Sequence, residues 1–208
     1  MAADDLTAPP GRGRPKSLQL DEAILEAAGA ILAEHGYAGF SFEAVAKASG
    51  TTRPAIYRRW KRREDLLLAA LDHVMHVHPA PGEERPWVDA GDDMDDQALL
   101  AMLRHMVANL VRILSDPRAN AVAISVSAAT YGDPEVRDIV QTHHYDRRKP
   151  LEDLMRLAQA RGLLRDDVSL DDQLHILVGA VQYRATMLQE PITEAYANQV
   201  LRVLLRPD

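Results

Sequence analysis

The sequence contains no cysteine. That excludes a disulfide framework, thiolate zinc sites, iron–sulfur clusters and a cysteine nucleophile. Aromatic residues are scarce at 5%, with two Phe and two Trp, and the β-branched residues are scattered, so few stretches have the composition of strands. Long apolar runs are missing as well. The longest, such as Leu66–Leu71 and Ile176–Val181, are far too short to cross a bilayer, and no membrane partner is expected. The opening residues, MAADDLTAPPGRGRPK, are acidic and then basic with no apolar centre. They do not read as a secretory signal, and the expected location is cytoplasmic. There is no Gly-rich phosphate loop, no His-Glu-x-x-His and no nucleophile elbow, so neither an enzyme nor a cofactor is expected.

What is present is a 208-residue chain with 47% hydrophobic and 26% charged residues. That is long enough to bury a core without disulfides or a structural metal. The net charge of −7 speaks against nucleic acid taken alone, but its distribution does not. Residues 1–68 carry 10 Lys and Arg against 9 Asp and Glu, whereas residues 69–208 carry 14 against 22. Within the first part, Gly11–Lys16 has three basic residues and no acid, and Lys47–Arg63 has seven and no acid. A small basic patch on an acidic body is either a solvated face or a binding surface for a polyanion.

Apolar spacing of three and four dominates, so the chain reads as all-α with about nine helices. Residues 1–17 lack periodicity, carry three prolines and read as a flexible basic arm. Ile24, Ala28, Ile31, Leu32 and His35 mark a first helix face ended by Gly36. Short helices follow, roughly Phe42–Ala48 capped by Ser41 and Arg53–Arg59 capped by Thr52. Arg63 opens a fourth. Residues 78–93 are rich in Pro, Gly and acid and read as a loop between modules. Helices are then expected over about 95–114 and to about 129, then from Glu135 to Gly162 with a kink or split at Pro150. The last two are expected over about 170–188 and 192–205. The expected division is an arm (1–17), a helix-turn-helix unit with its connecting helix (18–77) and a helical ligand-binding and dimerisation unit (78–208).

Residues 42–60, FEAVAKASGTTRPAIYRRW, carry the functional signal. Ala46 is small where two helices must approach. Gly50 follows at a turn that favours positive φ, and Ile56 can plug between the helices. This is the spacing of a helix-turn-helix, whose second helix enters the major groove with its N-terminal residues facing the bases. Thr51 and Thr52 offer hydroxyls, Arg53 can pair with guanine, and Ala55 can touch a thymine methyl. Tyr57, Arg58 and Arg59 fall on the flank nearest the backbone, although Tyr57 read alone fits a half-buried packing role equally. Ser41 and Arg63 stand at helix starts that attract phosphate.

These residues, with Ile24–Ala28, His35-Gly36-Tyr37 and Arg63–Leu66, resemble the DNA-binding signature of the tetracycline-repressor (TetR) family over about 50 residues. Four positions depart from the usual pattern: Phe40, Thr51, Trp60 and Arg63. The resemblance implies a homodimer on a palindromic double-stranded operator, paired through its last two helices and usually released by a small molecule bound in the C-terminal unit. Leu174, Leu177, Val178, Val181, Val200, Leu201 and Leu204 fit either a dimer seam or a monomer core. Candidate pocket residues are Trp87, Met102, His105, Met106, His144, Tyr145, Tyr183 and Met187, chosen because Met and aromatic side chains adapt to varied ligands. In the arm, Arg12, Arg14 and Lys16 have the pattern of a minor-groove insertion. His73, His76 and His78 cluster at one helix end, where the helix dipole accounts for them without a metal. Two alternatives remain open. One is an all-α ligand- or metal-binding protein, or an enzyme, with an incidental basic helix. The other is a DNA-binding regulator without a small-molecule effector.

Overall fold

The computed structural model describes residues 16–75 and 94–206. Among these there are nine helices and no strand, only one isolated bridge between Leu164 and Leu205. In chain order they are α1 (Lys16–Gly39), α2 (Phe42–Ala48), α3 (Arg53–Tyr57), α4 (Arg63–Val74), α5 (Asp96–Ser115), α6 (Pro117–Gly132), α7 (Pro134–Ala160), α8 (Leu170–Thr186) and α9 (Glu194–Leu204).

Local chemistry sets most of these boundaries. Ser41, Asp95, Asp116, Asp133, Ser169 and Thr193 each accept a backbone N–H of the helix that follows, satisfying donors that the first turn leaves unpaired. Gly50 and Gly162, at φ 67° and 72°, close α2 and α7. In each, the amide after the glycine donates back five residues, Thr51 to Ala46 at 3.0 Å and Leu163 to Ala158 at 2.9 Å, which is the Schellman arrangement. Gly36, at φ 67°, breaks α1 before a last turn to Gly39. The expected split at Pro150 does not occur, and α7 runs through it for 27 residues. Pro150 leaves only the carbonyl of Asp146 without an amide partner, and Asp146 is exposed, so water can serve it.

Two apolar clusters hold the helices together. The first joins α1–α4 to α6 and the start of α7, with Ile24, Leu32, Phe40, Ile56, Leu66, Leu67, Val122 and Val136 among its buried members. The second joins α5, the second half of α7, α8 and α9 around Leu99, Leu103, Leu154, Met155, Leu174, Leu177 and Val181. His35, expected on the α1 core face, is instead exposed, because the chain turns away at Gly36. Gln173, buried and polar, donates to the carbonyls of Arg165 and Val168, both at 2.8 Å, and so pins the α7–α8 connection. One helix, α5, is long and apolar enough by length and composition to cross a membrane, contrary to the reading of the apolar runs. Here Leu99, Leu103, Val107, Val111 and Leu114 on it face the second cluster.

Candidate nucleic-acid interface

The turn between α2 and α3 is built as its spacing implies. Ala46 and Ile56 are buried, at 6% and 0% exposure, and Gly50 holds the positive φ between them. A Cβ at Gly50 would meet nothing within 4 Å, so the demand there is conformational rather than spatial. Ser41 Oγ accepts the amide of Ala44 at 3.1 Å. Thr52 occupies the N-cap of α3 without a side-chain cap bond, which leaves its exposed hydroxyl available.

The outer face of α3 presents Thr52, Arg53, Tyr57 and Arg58. Tyr57 serves both of the roles considered for it. Its ring packs edge-on against Phe42 with centroids 4.5 Å apart, yet it stays 40% exposed. Arg53 lies over the Tyr57 ring, 5.8 Å from its centroid, with a donor 3.4 Å from the phenol oxygen. A shallow groove of about 380 Å³ runs between α2, α3 and the start of α4. Arg53, Lys61 and Arg63 form its cationic wall, with Ser41 and Tyr57 beside them and Glu43 as its one carboxylate.

The seven basic residues of 47–63 separate into three groups. Lys47, Arg53, Arg58 and Lys61 are exposed and make no ion pair among the described residues. Arg59 and Arg62 are engaged within the fold: Arg59 pairs with Asp21 of α1 and donates to the Ala55 carbonyl at 3.0 Å, and Arg62 pairs with Glu135 of α7. Arg63 is intermediate. It donates to the Tyr37 hydroxyl and sits 4.1 Å from that ring centroid, while still lining the groove. Burial pushes the Tyr37 phenol up, outweighing the nearby Arg63 charge, so it stays protonated.

Two expectations for this face change. Ala55 is 5% exposed and packs inward, because α3 is only five residues long and turns that side to the core. Arg59 follows the end of α3, where the chain bends back toward Asp21, so it ties α3 to α1. Thr51 is half-buried in the turn. The backbone of Lys16 begins α1, whereas Arg12 and Arg14 lie outside the described residues. Tyr37 and Lys61 were missed, although Tyr37 stood in the quoted signature and Lys61 in the basic run.

Residues 24–70 match the model of bacterial regulatory proteins of the tetR family, and residues 94–204 match the tetracyclin repressor-like C-terminal domain. The chain belongs to the TetR family. It is a DNA-binding transcriptional regulator of the helix-turn-helix type, not an enzyme. It is 28% identical over 191 residues to the DNA-binding transcriptional repressor TetR of Mycobacteroides abscessus, covering 89% of this chain and 93% of that one. It is 25% identical over 154 residues to the HTH-type transcriptional repressor ComR of Escherichia coli K12, covering 73% and 70%. Its fold is similar to that of a TetR transcription regulator from Haloarcula marismortui, with a TM-score of 0.64, 20% identity and coverage of 91% and 100%. TetR-family regulators bind DNA operators and act as dimers.

Of the eight side chains expected to line a pocket, the seven that are described do not come together in this TetR-family chain. Tyr145, Tyr183 and Met187 are 58%, 56% and 71% exposed, and His105 and His144 are also on the surface. They lie on α5, α7 and α8 or, for Met187, just past α8, and none belongs to the second cluster. Met102 and Met106 are half-buried against that cluster as packing residues. Trp87 falls outside the described residues, as do His76 and His78. Despite its exposure, His144 is held below its usual value by desolvation and by neighbouring His143, which favours the neutral imidazole. His73 contacts Glu26 at 3.3 Å, and the described residues contain no group of three or more potential metal ligands.

Polar links tie the helix-turn-helix to the helices behind it. Asp72 of α4 meets His143 and Arg147 of α7 at 3.0 and 3.5 Å, all three largely shielded. Glu26 of α1 pairs with Arg118 of α6, whose guanidinium also donates to the Glu26 carbonyl at 2.7 Å. The Arg118 hydrogen bond holds the Glu26 carboxyl below the usual carboxylate range.

Proposed function

We propose that the protein is a repressor that binds a palindromic operator as a homodimer paired through α8 and α9, and that a small-molecule effector lowers its affinity for that operator. The observation that carries the reading is the groove walled by Arg53, Lys61 and Arg63 beside the exposed face of α3, on a chain of net charge −7. Such a patch has few uses other than a polyanion. Arg53 and Thr52 face the bases, while Arg58, Lys61, Arg63 and Ser41 hold phosphates on either side. Arg12, Arg14 and Lys16 add contacts in the neighbouring minor groove.

The pairing of subunits is supported by apolar groups that α8 and α9 leave uncovered. Ile176 and Tyr183 on α8, Met187 and Leu188 just beyond it and Val203 on α9 are each at least 44% exposed. Gly179 has open space where a Cβ would stand, so a partner helix can approach closely there.

The test is fluorescence anisotropy on duplexes tiling the DNA upstream of the protein's own coding sequence, over a salt series, against a scrambled duplex. Saturable binding to one imperfect palindrome with a steep salt slope supports the reading. Equal, salt-labile binding to every duplex refutes it.

A further inference from the structure

A second groove, of about 590 Å³, lies between the α5–α6 junction and the α8–α9 connection, and none of the seven expected pocket residues that are described lines it. Its size falls within the roughly 300–1,000 Å³ of small-molecule sites. Leu114, Pro117, Ala121, Ile124, Pro191 and Ile192 make it largely apolar. The lining contains no Lys, Arg or His, and its polar groups include two acceptors, Asn120 and Glu190.

Asn120 is the more informative of the two. Its Nδ2 donates to the Ala185 carbonyl at 3.1 Å, which fixes the orientation of the amide, since the reversed amide would set oxygen against oxygen. Its Oδ1 is then buried with no donor among the described residues. An unfilled acceptor beside an apolar groove suits a ligand that brings an N–H. Glu190 is held at the rim by Arg184, which pairs with it at 2.9 Å and donates to the Pro191 carbonyl at 3.1 Å. Gln189, between them, has φ 52°, the one non-glycine residue with positive φ among the described residues. That conformation ends α8, with the Glu190 amide donating back to the Arg184 carbonyl at 3.1 Å, and it sets Glu190 at the groove rim.

The far side of the same helix faces the DNA-binding unit. Ala119, Val122 and Val126 of α6 are buried in the first cluster, where α6 makes the most extensive packing of any helix against α1. Arg118 grips Glu26 of α1, and Gly29 of α1 leaves no room for a side chain, since a Cβ there would meet Val74 and Arg118. From α1, Asp21 holds Arg59 at the end of α3. A contiguous set of packed and ion-paired groups therefore joins the groove to the recognition helix.

We propose that this groove is the effector site, that it takes an amphipathic amine, and that occupancy reaches α3 through α6 and α1. This rests on the ligand-released repressor reading above. The amine fills the Asn120 acceptor and sets its positive charge near Glu190, and the apolar body lies against Leu114, Ile124 and Ile192.

Octylamine serves as the probe, with octanoate and octanol as chain-matched controls, all below their micellar concentrations. Calorimetry on the full chain reads binding, and operator anisotropy reads the consequence. Octylamine binds saturably, and the two controls at least about tenfold more weakly. Asn120→Leu and Ala121→Trp each lose the amine, with the helical circular dichroism of the wild type retained. Octylamine lowers operator affinity in the wild type. In Arg118→Ala it still binds but shifts the operator curve at least about tenfold less. No saturable binding by octylamine, equal binding of octanoate, or undiminished binding by Ala121→Trp overturns the site. Dissociation of the dimer by Ala121→Trp, seen in sedimentation, overturns it too by marking the groove as a subunit contact. A bound amine that leaves operator affinity unchanged overturns the coupling. Failure of the amine-free protein to bind any operator refutes the repressor reading instead, and calorimetry still decides the groove.

Discussion

Replacing Gly50 with Ala isolates one physical demand of the DNA-binding turn. The residue sits at φ 67° with nothing near its missing Cβ, so alanine meets strain without collision. Holding an L-residue in that region costs about 1–2 kcal/mol. Restricting the unfolded chain returns roughly 0.4–1 kcal/mol. The net loss is about 1 kcal/mol, or a melting temperature lower by about 2–4 °C in a chain of this size. Gly162→Ala is the matched control. It has φ 72°, the same Schellman bond pattern and only the flexible Arg206 at 3.6 Å. Urea denaturation therefore gives the two variants equal losses within about 0.5 kcal/mol. Operator anisotropy separates them. Strain at Gly50 falls between the two helices that must present α3, and relieving it turns α3, so affinity drops by at least about tenfold. Gly162 closes α7, far from that face, and its variant stays within about twofold of the wild type. Equal operator losses in the two variants, or a stability loss at Gly50 well above that at Gly162, refute the reasoning.

Other outcomes follow from the division of the basic residues. Arg58→Ala and Lys61→Ala each reduce the slope of log affinity against log salt by about 1 per protomer. Arg59→Ala leaves that slope nearly unchanged but costs about 1 kcal/mol of stability in a thermal melt, because it loses Asp21 and the Ala55 carbonyl. Leu177, at 0% exposure in the second cluster, costs about 2–5 kcal/mol on truncation to Ala in urea denaturation. Glu26 has a depressed carboxyl, so its contribution is complete above the unfolded value and is lost as pH falls through the folded one. Urea midpoints measured between about pH 6 and pH 3 should fall less steeply in Glu26→Gln than in the wild type.

The parts of the molecule legible in sequence are those fixed by neighbours along the chain. Ser41, Gly50 and Gly162 act within five residues of themselves, and the boundaries of α2 follow from them. The pocket candidates were not legible. A period of 3.6 marks a helix face but not how far that face is rotated toward its neighbours. On α5 the buried stripe runs Leu99, Leu103, Val107, Val111 and Leu114, with Met102 and Met106 only at its margin. Pro150 misled for a different reason. Its cost in a helix depends on whether the freed carbonyl is wet, which sequence does not reveal. Arg59 and Arg62 looked equivalent to Arg58 because their partners, Asp21 and Glu135, lie 38 and 73 residues away.

The first apolar cluster bears on how such regulators can be recombined. Val122, Val126, Val136 and Val140 belong to the same buried group as Ile24 and Leu67. A chimera that grafts residues 18–77 onto a foreign effector unit strips that underside bare, unless the new partner supplies a matching apolar ridge. The transferable piece is wider than the stretch that touches DNA. It includes α6 and the first two turns of α7, so swaps that keep those segments with the donor of the reading head fold as one cooperative body, whereas a cut directly after α4 yields a sticky, half-built one.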